Sequence, residues 1–400
     1  MKKIGRMFAS VVKRIPVVFV YQLSKWVPKN KNLIIFGGEN GKAYRGNTKY
    51  LFEEITKIEN LQSVWITKNK ETIKQIRDQN QQAYYHRSLK GMVLQLRAST
   101  AVHSHSIHDD FNKVLLGGVT SINTWHGVGL KKVWAARSQT FTYRALHEKN
   151  KVIRYFKMLV EQTNRGKTNY VFSTSETVST FFPETFTLDK SHLPMLGQVR
   201  NDVFYKDTIE DENVDDVIRF SKTITYMPTH RNHGLDDPDI NNVIDFFALN
   251  KFCYENELLF ILKRHMYSKG TIPKGLSNVI DVSEQDIEPQ LLLKYTDLLI
   301  TDYSSCYTDY LLLNRPVIFY PFDLSYYLTH SNEMYFNYED VTPGPKVHTF
   351  EQLLDALKNR EAVNKDYLDE RTRVRDIFYS KDNQQPVLKK QVEFIKQMVK

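Results

Sequence analysis

The sequence predicts an α/β protein of two doubly wound domains, each a parallel sheet with crossover helices. Three observations carry this. Short β-rich apolar runs alternate with helical patterns, and the alternation occurs twice along the chain. Polar turns follow several of those runs, where open parallel sheets bind ligands. Finally, 400 residues exceed one ordinary domain and suit two of about 150–200.

In the first half the expected strands are 32–36, 63–67, 100–104, 121–125 and 170–173, with helices such as 49–59 and 70–79 between them. In the second half they are 223–228, 258–263, 278–281, 298–301 and 317–320, with helices at 243–255, 287–294, 305–313 and 350–358. The expected organisation is a basic helical segment over 1–30, a first domain over 31–210, a second over 211–384, and a last helix over 385–400 that folds back on the first domain. The acidic, weakly patterned stretch 206–216 reads as the linker.

Hydrophobic content of 41% and charged content of 25% are those of a chain that buries a full core. A net charge of +9 favours anionic partners, whether nucleic acid, an anionic membrane face or phosphorylated substrates, without choosing among them. Two cysteines, Cys253 and Cys306, exclude a disulfide framework and fit a reducing cytosol. The apolar run 15–23 is too short to span a bilayer and is followed by a poor cleavage site. With basic residues before it and Phe8, Phe19, Tyr21 and Trp26 around it, the segment suits either a membrane surface or a helix packed on the first domain.

Four polar clusters fall just after expected strands. Residues 124–132 present His126 with Gly127 and Gly129, then Lys131 and Lys132; an imidazole there can take a proton from an attacking hydroxyl near neutral pH. Residues 227–233 present Thr229, His230, Arg231 and His233, and an arginine fork suits phosphate oxygens. Residues 262–266 deliver Lys263, Arg264 and His265 at a strand exit. Residues 301–305, Thr-Asp-Tyr-Ser-Ser, place Thr301, Asp302, Ser304 and Ser305 where a strand turns into a helix, a corner that favours an anion. Each also has a plain reading: a loop histidine, a polar surface loop, a solvated strand end, a helix cap.

A competing constellation is 103–110, His-Ser-His-Ser-Ile-His-Asp-Asp. On an extended strand His103 and His105 share a face, so an H-x-H-x-x-H set could hold zinc if the rings converged. It resembles the metallo-β-lactamase pattern except that Ile107 stands at the acidic position.

Taken in order, the motifs resemble those of the CDP-glycerol glycerophosphotransferase family, the teichoic-acid glycerol-phosphate and ribitol-phosphate transferases. Gly41-Lys42-Ala43-Tyr44 through Asn47, Lys49 and Tyr50 is similar to G-K-x-Y-x-x-N-x-K-Y. Trp125-His126-Gly127 with Leu130-Lys131 is close to W-H-G-T-P-L-K, and Gly197 with Arg200-Asn201-Asp202 to G-x-x-R-N-D. Pro228-Thr229-His230-Arg231 looks like P-T-x-R, and Leu262-Lys263-Arg264-His265 like L-K-x-H. Residues 301–305 and 316–320 match T-D-Y-S-S and P-I-I-F-Y. The resemblance spans most of the chain. Its departures are Val128-Gly129 for Thr-Pro and Met266 for a common proline.

The resemblance implies a GT-B-like fold, two Rossmann-like domains facing a cleft. It implies transfer of glycerol phosphate, or a related polyol phosphate, from CDP-glycerol to a hydroxyl of a lipid-linked or polymer acceptor, with release of CMP. His126 would be the base, with His265 and Arg231 also catalytic. Thr229, Arg231, Lys263, His265, Thr301, Asp302, Ser304 and Ser305 would hold the donor. Asn47, Gly127, Lys131, Lys132 and Arg137 would lie on the acceptor or membrane side. No carboxylate pair in the clusters resembles a magnesium cage, so no tightly bound cofactor is expected; a loosely bound magnesium ion with the nucleotide is left open.

Residues 131–167 carry ten Lys/Arg against two Glu, interleaved with aromatics, which suits the anionic cytoplasmic leaflet where a lipid-linked acceptor would be met. The expected location is therefore cytoplasmic and peripheral on the inner membrane face. The alternatives are a GT-B glycosyltransferase using a nucleotide sugar, a zinc-dependent hydrolase, and a basic nucleic-acid binder; no nucleic-acid motif supports the last.

Overall fold

The computed structural model describes residues 14–165, 168–206, 218, 221–231, 237–264, 270–330 and 333–399. They divide into two compact units. Unit 1 draws on Met1–His126, Val133–Asp202 and Gln385–Lys400; unit 2 draws on Gly127–Lys132 and Val203–Gln384.

Among the described residues unit 1 holds a six-stranded sheet: β1 (Asn30–Phe36), β2 (Gln62–Thr67), β3 (Ala83–Tyr85), β4 (Ala98–His103), β5 (Thr120–Asn123) and β6 (Tyr170–Val171). All neighbours are parallel and the order is β3-β2-β1-β4-β5-β6. Residues Leu33–Phe36 are all buried because helices cover both faces of the sheet. Alternation sends Ile34 and Phe36 to a core with Phe52 and Trp65, and Leu33 and Ile35 to one with Leu94 and Phe111. Each such side chain contributes about 1.5–3 kcal/mol on burial.

Unit 2 repeats the plan with β7 (Lys222–Met227), β8 (Leu258–Leu262), β9 (Val279–Asp281), β10 (Leu298–Thr301) and β11 (Val317–Phe319), all parallel in the order β11-β10-β7-β8-β9. In both sheets the winding reverses between two central neighbours, β1 and β4 in unit 1 and β7 and β10 in unit 2. The carboxyl ends of such a pair form the crevice where doubly wound folds bind ligands. In unit 1 that edge carries Gly37-Gly38-Glu39 and Ser104-His105. In unit 2 it carries Pro228-Thr229 and Asp302-Tyr303.

The last helix, Leu388–Val399, belongs to unit 1. Asp202 accepts the backbone N–H groups of Val387 and Leu388 at 2.9–3.0 Å, which satisfies donors that a helix start leaves open. Gln391 donates to the carbonyls of Leu196 and Gly197.

The structure departs from the sequence reading in several places. The strand β3 was not expected. The helix after β10 covers only Cys306–Tyr310 before a 3-10 turn at Leu311–Leu313. The basic stretch, for which no helix bounds were expected, forms a 3-10 turn at Trp134–Ala136 and helices at Phe141–Leu146 and Lys151–Arg165. The strand β4 ends at His103, so His105 lies in the turn beyond it and the shared strand face does not form. The expected linker, past Lys206, lies outside the described residues.

At the N-terminus the helix Ile15–Ser24 docks through Ser24, whose Oγ accepts the Gly117 N–H at 2.9 Å. It leaves Ile15, Phe19 and Leu23 exposed, with Trp26 beyond its end 84% exposed. Beside it Ile15, Val18, Phe19, Leu159 and Val160 line an apolar hollow of ≈ 290 Å³. Among the described residues no helix is long and apolar enough to cross a membrane.

Candidate active site

In unit 1 the loop leaving β5 is clamped from several sides. The Trp125 N–H donates to Asn123 Oδ1 at 2.7 Å, and Trp125 sits at φ +57°, an unusual conformation for a bulky residue. Asn47, buried at the start of its helix, donates through Nδ2 to the Trp125 carbonyl at 2.9 Å and to Gln198 Oε1, and accepts the Arg200 N–H at 3.0 Å. The Arg200 guanidinium donates to the His126 carbonyl at 2.7 Å. Asn47 and the 198–202 segment thus work as scaffold for residues 125–126, which is what both motifs require of their residue types.

The His126 ring lies 2.9 Å through Nδ1 from the Ser104 carbonyl oxygen. A carbonyl can only accept, so Nδ1 carries the proton and Nε2 keeps its lone pair. Burial, then the neighbouring charge of His105, push the His126 pKa well below its ordinary value, with Arg200 acting the same way and the Ser104 bond opposing. The ring is therefore neutral at physiological pH, as a proton acceptor must be.

The turn beneath His126 is set by Asp110. Its fully buried carboxylate accepts the N–H groups of Ser104 (3.1 Å), His105 (2.9 Å) and Gly41 (3.2 Å). Burial raises its pKa, while His105 and the backbone donors oppose this. Across the β1–β4 crevice the Glu39 N–H donates to Ser104 Oγ at 3.2 Å. Gly38 has no room for a side chain: a Cβ there would lie 2.5 Å from Thr48 Oγ1. His103 is fully buried with both ring nitrogens engaged, Nδ1 to the His105 carbonyl at 3.2 Å and Nε2 to Ser121 Oγ at 2.8 Å. Burial holds its pKa down to about 3. The histidine-rich run is thus a hydrogen-bonded turn, and among the described residues no group of three or more His, Cys, Asp or Glu is placed to hold a metal.

In unit 2 the β7–β10 crevice is organised around a charged triad. Arg231, 2% exposed, forms a two-pronged pair with Asp323 (Nε–Oδ2 2.9 Å, Nη2–Oδ1 2.8 Å) and pairs through Nη1 with buried Asp302 Oδ2 at 2.7 Å. It also donates to the Thr229 carbonyl. Burial alone would lower the Arg231 pKa, but Asp302 and Asp323 more than offset this and hold it above its ordinary value. Asp302 Oδ1 in turn accepts the Thr229 N–H at 2.8 Å, the Tyr303 hydroxyl donates to Asp323 at 2.9 Å, and Thr301 Oγ1 donates to the Met227 carbonyl at 2.7 Å. Arg231 and Asp302 thereby brace the crevice from within instead of presenting free charge to a ligand. The Thr229 hydroxyl is buried and has no hydrogen-bond partner among the described residues. It lines a small hollow with Tyr226, Arg231, Asp237, Arg264 and Phe322.

The remaining expected residues fall as follows. Lys263 Nζ donates to the carbonyls of Val282 (3.0 Å) and Gln285 (2.7 Å). Its neighbour Arg264 pairs with Asp281 at 2.7 Å. Ser304 Oγ accepts the Cys306 N–H at 3.4 Å, and Ser305 precedes the short helix without a side-chain cap bond. Asp302, being buried beside Arg231, is not the helix cap. Gly127, Lys131 and Lys132 lie in unit 2, where Lys132 N–H donates to the Glu333 carbonyl, Tyr335 N–H to the Leu130 carbonyl and Thr308 Oγ1 to the Val128 carbonyl. Lys131 Nζ stands 5.6 Å over the Tyr327 ring. Arg137 lies in unit 1. His265 and His233 lie outside the described residues.

Sequence reasoning missed Ser104, His105 and Asp110 as supports of His126. Their density is visible in the sequence, but it reads as a polar strand end, with metal binding as the competing use. It missed Asp323 altogether, because nothing local marks a lone aspartate as the partner of an arginine 92 residues away.

Two parallel doubly wound units with polar clusters at their carboxyl edges define a GT-B-like fold. A variant of the wall teichoic acid polymerase TagF soaked with CDPG has this fold, with a TM-score of 0.77 at 24% identity over 100% of this chain and 98% of that one. The chain belongs to the CDP-glycerol:poly(glycerophosphate) glycerophosphotransferase family, whose pattern matches residues 19–388. It is 28% identical to a teichoic acid glycerol-phosphate transferase of Staphylococcus aureus (strain NCTC 8325 / PS 47), over 94% of this chain and 95% of that protein. It is 26% identical to a teichoic acid poly(glycerol phosphate) polymerase of Bacillus spizizenii (strain ATCC 23059 / NRRL B-14472 / W23), over 91% and 92%.

Proposed function

We propose that this enzyme transfers glycerol phosphate, or a related polyol phosphate, from CDP-glycerol to a hydroxyl of a lipid-linked or polymer acceptor in teichoic-acid or related cell-surface polymer synthesis. The acceptor oxygen attacks the glycerol-bearing phosphorus, the bond from that phosphorus to the CMP oxygen breaks, and CMP leaves. The hydroxyl proton passes to His126 Nε2. The observation that carries the reading is the His126 ring itself: half-buried, neutral, and fixed by the Ser104 carbonyl in the tautomer that leaves Nε2 as acceptor. A positioned base of this kind contributes about 10²–10⁴-fold in rate.

Donor binding falls to unit 2. The Thr229 hydroxyl, the turn at 302–305 and Lys131 are the groups we assign to the donor phosphates, with Arg231 and Asp302 holding that turn in shape. Phosphoryl transfer depends on positioning and charge neutralisation more than on covalent chemistry by the protein, so a rigid crevice serves it well. His265 stays assigned to the donor on its motif alone. A magnesium ion, if the nucleotide carries one, would enter with the donor.

We also assign a peripheral site on the inner membrane face. The exposed Ile15, Phe19 and Trp26 on one segment and Val152 (65% exposed) and Tyr155 (67%) on another support it. Binding to anionic vesicles that is lost on Phe19→Ser with Trp26→Ser would support this assignment; unchanged binding would remove it. The transfer reading is tested by turnover with a panel of CDP-alcohols and purified lipid-linked acceptors. CMP release that requires a CDP-alcohol is expected, and release of UMP or UDP from a nucleotide sugar instead would replace the donor.

A further inference from the structure

The rings of His105 and His126 lie parallel, with centroids 4.0 Å apart and an interplanar angle of 2°. The Trp125 ring also lies against His126, with centroids 4.0 Å apart and a tilt of 47°. Two imidazoles in face-to-face register are not what chance packing of a polar turn produces, since each ring's plane must be fixed separately. His105 is so fixed. Its backbone N–H is held by Asp110 and its Nδ1 lies 2.9 Å from Ser104 Oγ. His126 is fixed by the carbonyl of that same Ser104. One residue therefore ties both rings, and Asp110 ties that residue to the fold through two adjacent N–H groups.

We infer that His105 is a positioning residue for His126: its ring is the platform that holds the imidazole in one plane and one tautomer, so that Nε2 faces the acceptor hydroxyl. The inference rests on the transfer reading above. A metal-ligand role for His105 is the rival use of this histidine-rich run. It is disfavoured because His103 has spent both nitrogens within the protein and His105 Nδ1 is bonded to Ser104.

The charged and titratable groups around His105 are His103 at the end of β4, Asp110 from the following turn and His126 after β5. Glu39 faces Asp110, and Arg200 faces His126. His105 lowers the His126 pKa, so removing its ring lets His126 hold a proton to higher pH and moves the acid limb of the pH–rate profile upward.

The test compares the full-length enzyme with His105→Ala and His105→Phe. Loss of the platform in His105→Ala should lower kcat about 10–100-fold, the scale of a misplacement near 1 Å, with donor KM changed less than about twofold. His105→Phe keeps a flat ring and should stay within about threefold of the unaltered kcat at pH 8, while its acid limb moves up as that of the alanine variant does. Nitrogen-15 NMR of the histidines should report one His126 tautomer, protonated at Nδ1, in the unaltered and phenylalanine proteins and a mixture in the alanine protein. A purely structural side chain would lower thermal stability and leave both the limb and the tautomer in place. Unaltered kcat and pH profile in His105→Ala, or phenylalanine as poor as alanine, overturns the inference. If the unaltered enzyme releases no CMP, the transfer reading fails, and the NMR comparison still decides whether the platform exists.

Discussion

Arg231 and Asp323 meet as a two-pronged ion pair across 92 residues of sequence, with Nε–Oδ2 at 2.9 Å and Nη2–Oδ1 at 2.8 Å. The guanidinium also pairs with Asp302, which no solvent reaches. Removing one member of a buried charge cluster leaves the others uncompensated, typically at a cost of about 3–5 kcal/mol. Arg231→Ala should therefore lower stability by that order in urea denaturation. Donor affinity should fall as a consequence of a distorted turn. Full stability combined with lost donor binding would return Arg231 to a direct grip on phosphate.

The stability of unit 1 should depend on acid through its buried histidines. Folding holds the His103 pKa down to about 3, and that of His126 is also depressed. Above about pH 6.5, the ordinary histidine value, both states are neutral and the effect is absent. As pH falls from there toward 3 the unfolded chain takes up protons that the folded chain refuses, and stability is lost at up to about 1.4 kcal/mol per pH unit for each group. Denaturation at pH 7.5, 6 and 5 should show this decline, and His103→Asn, once corrected for its own baseline stability, should flatten it.

Asp202 holds the start of the Leu388–Val399 helix through the N–H groups of Val387 and Leu388. Asp202→Ala should cost about 0.5–2 kcal/mol, the range of a lost cap. Hydrogen exchange should quicken across 387–399 before it does in β1 or β4. Uniform protection in the variant would show that Gln391 and the apolar face of the helix suffice.

The sheets were legible where a strand buried on both faces reads as an apolar run, as Leu258–Leu262 and the first three residues of Leu298–Thr301 do. The three-residue β3 was not, since Ala83–Tyr85 is too short to carry a pattern. The place of His126 in the loop after a strand was legible from the apolar run before it and the glycines beside it. What the sequence concealed was partnership at a distance. Arg231 looked like a phosphate fork until Asp302 and Asp323 appeared around it. The 103–110 run read as a polar strand end with zinc as a competing use, and neither reading showed His103 bonded at both nitrogens or His105 stacked on His126. Residue type and spacing mark where chemistry is concentrated; which groups consume one another's hydrogen bonds is decided by the fold.

In the proposed reaction His126 takes the acceptor's proton during transfer from CDP-glycerol. The most direct measurement is CMP release from CDP-glycerol with a lipid-linked acceptor, comparing the unaltered enzyme with His126→Ala, alongside calorimetric titration of the donor into both. The predicted result is acceptor-dependent CMP release that drops by about 10²–10⁴-fold in the variant, with donor affinity retained. A variant that turns over at the unaltered rate, or an unaltered enzyme that leaves CDP-glycerol intact, would contradict the account.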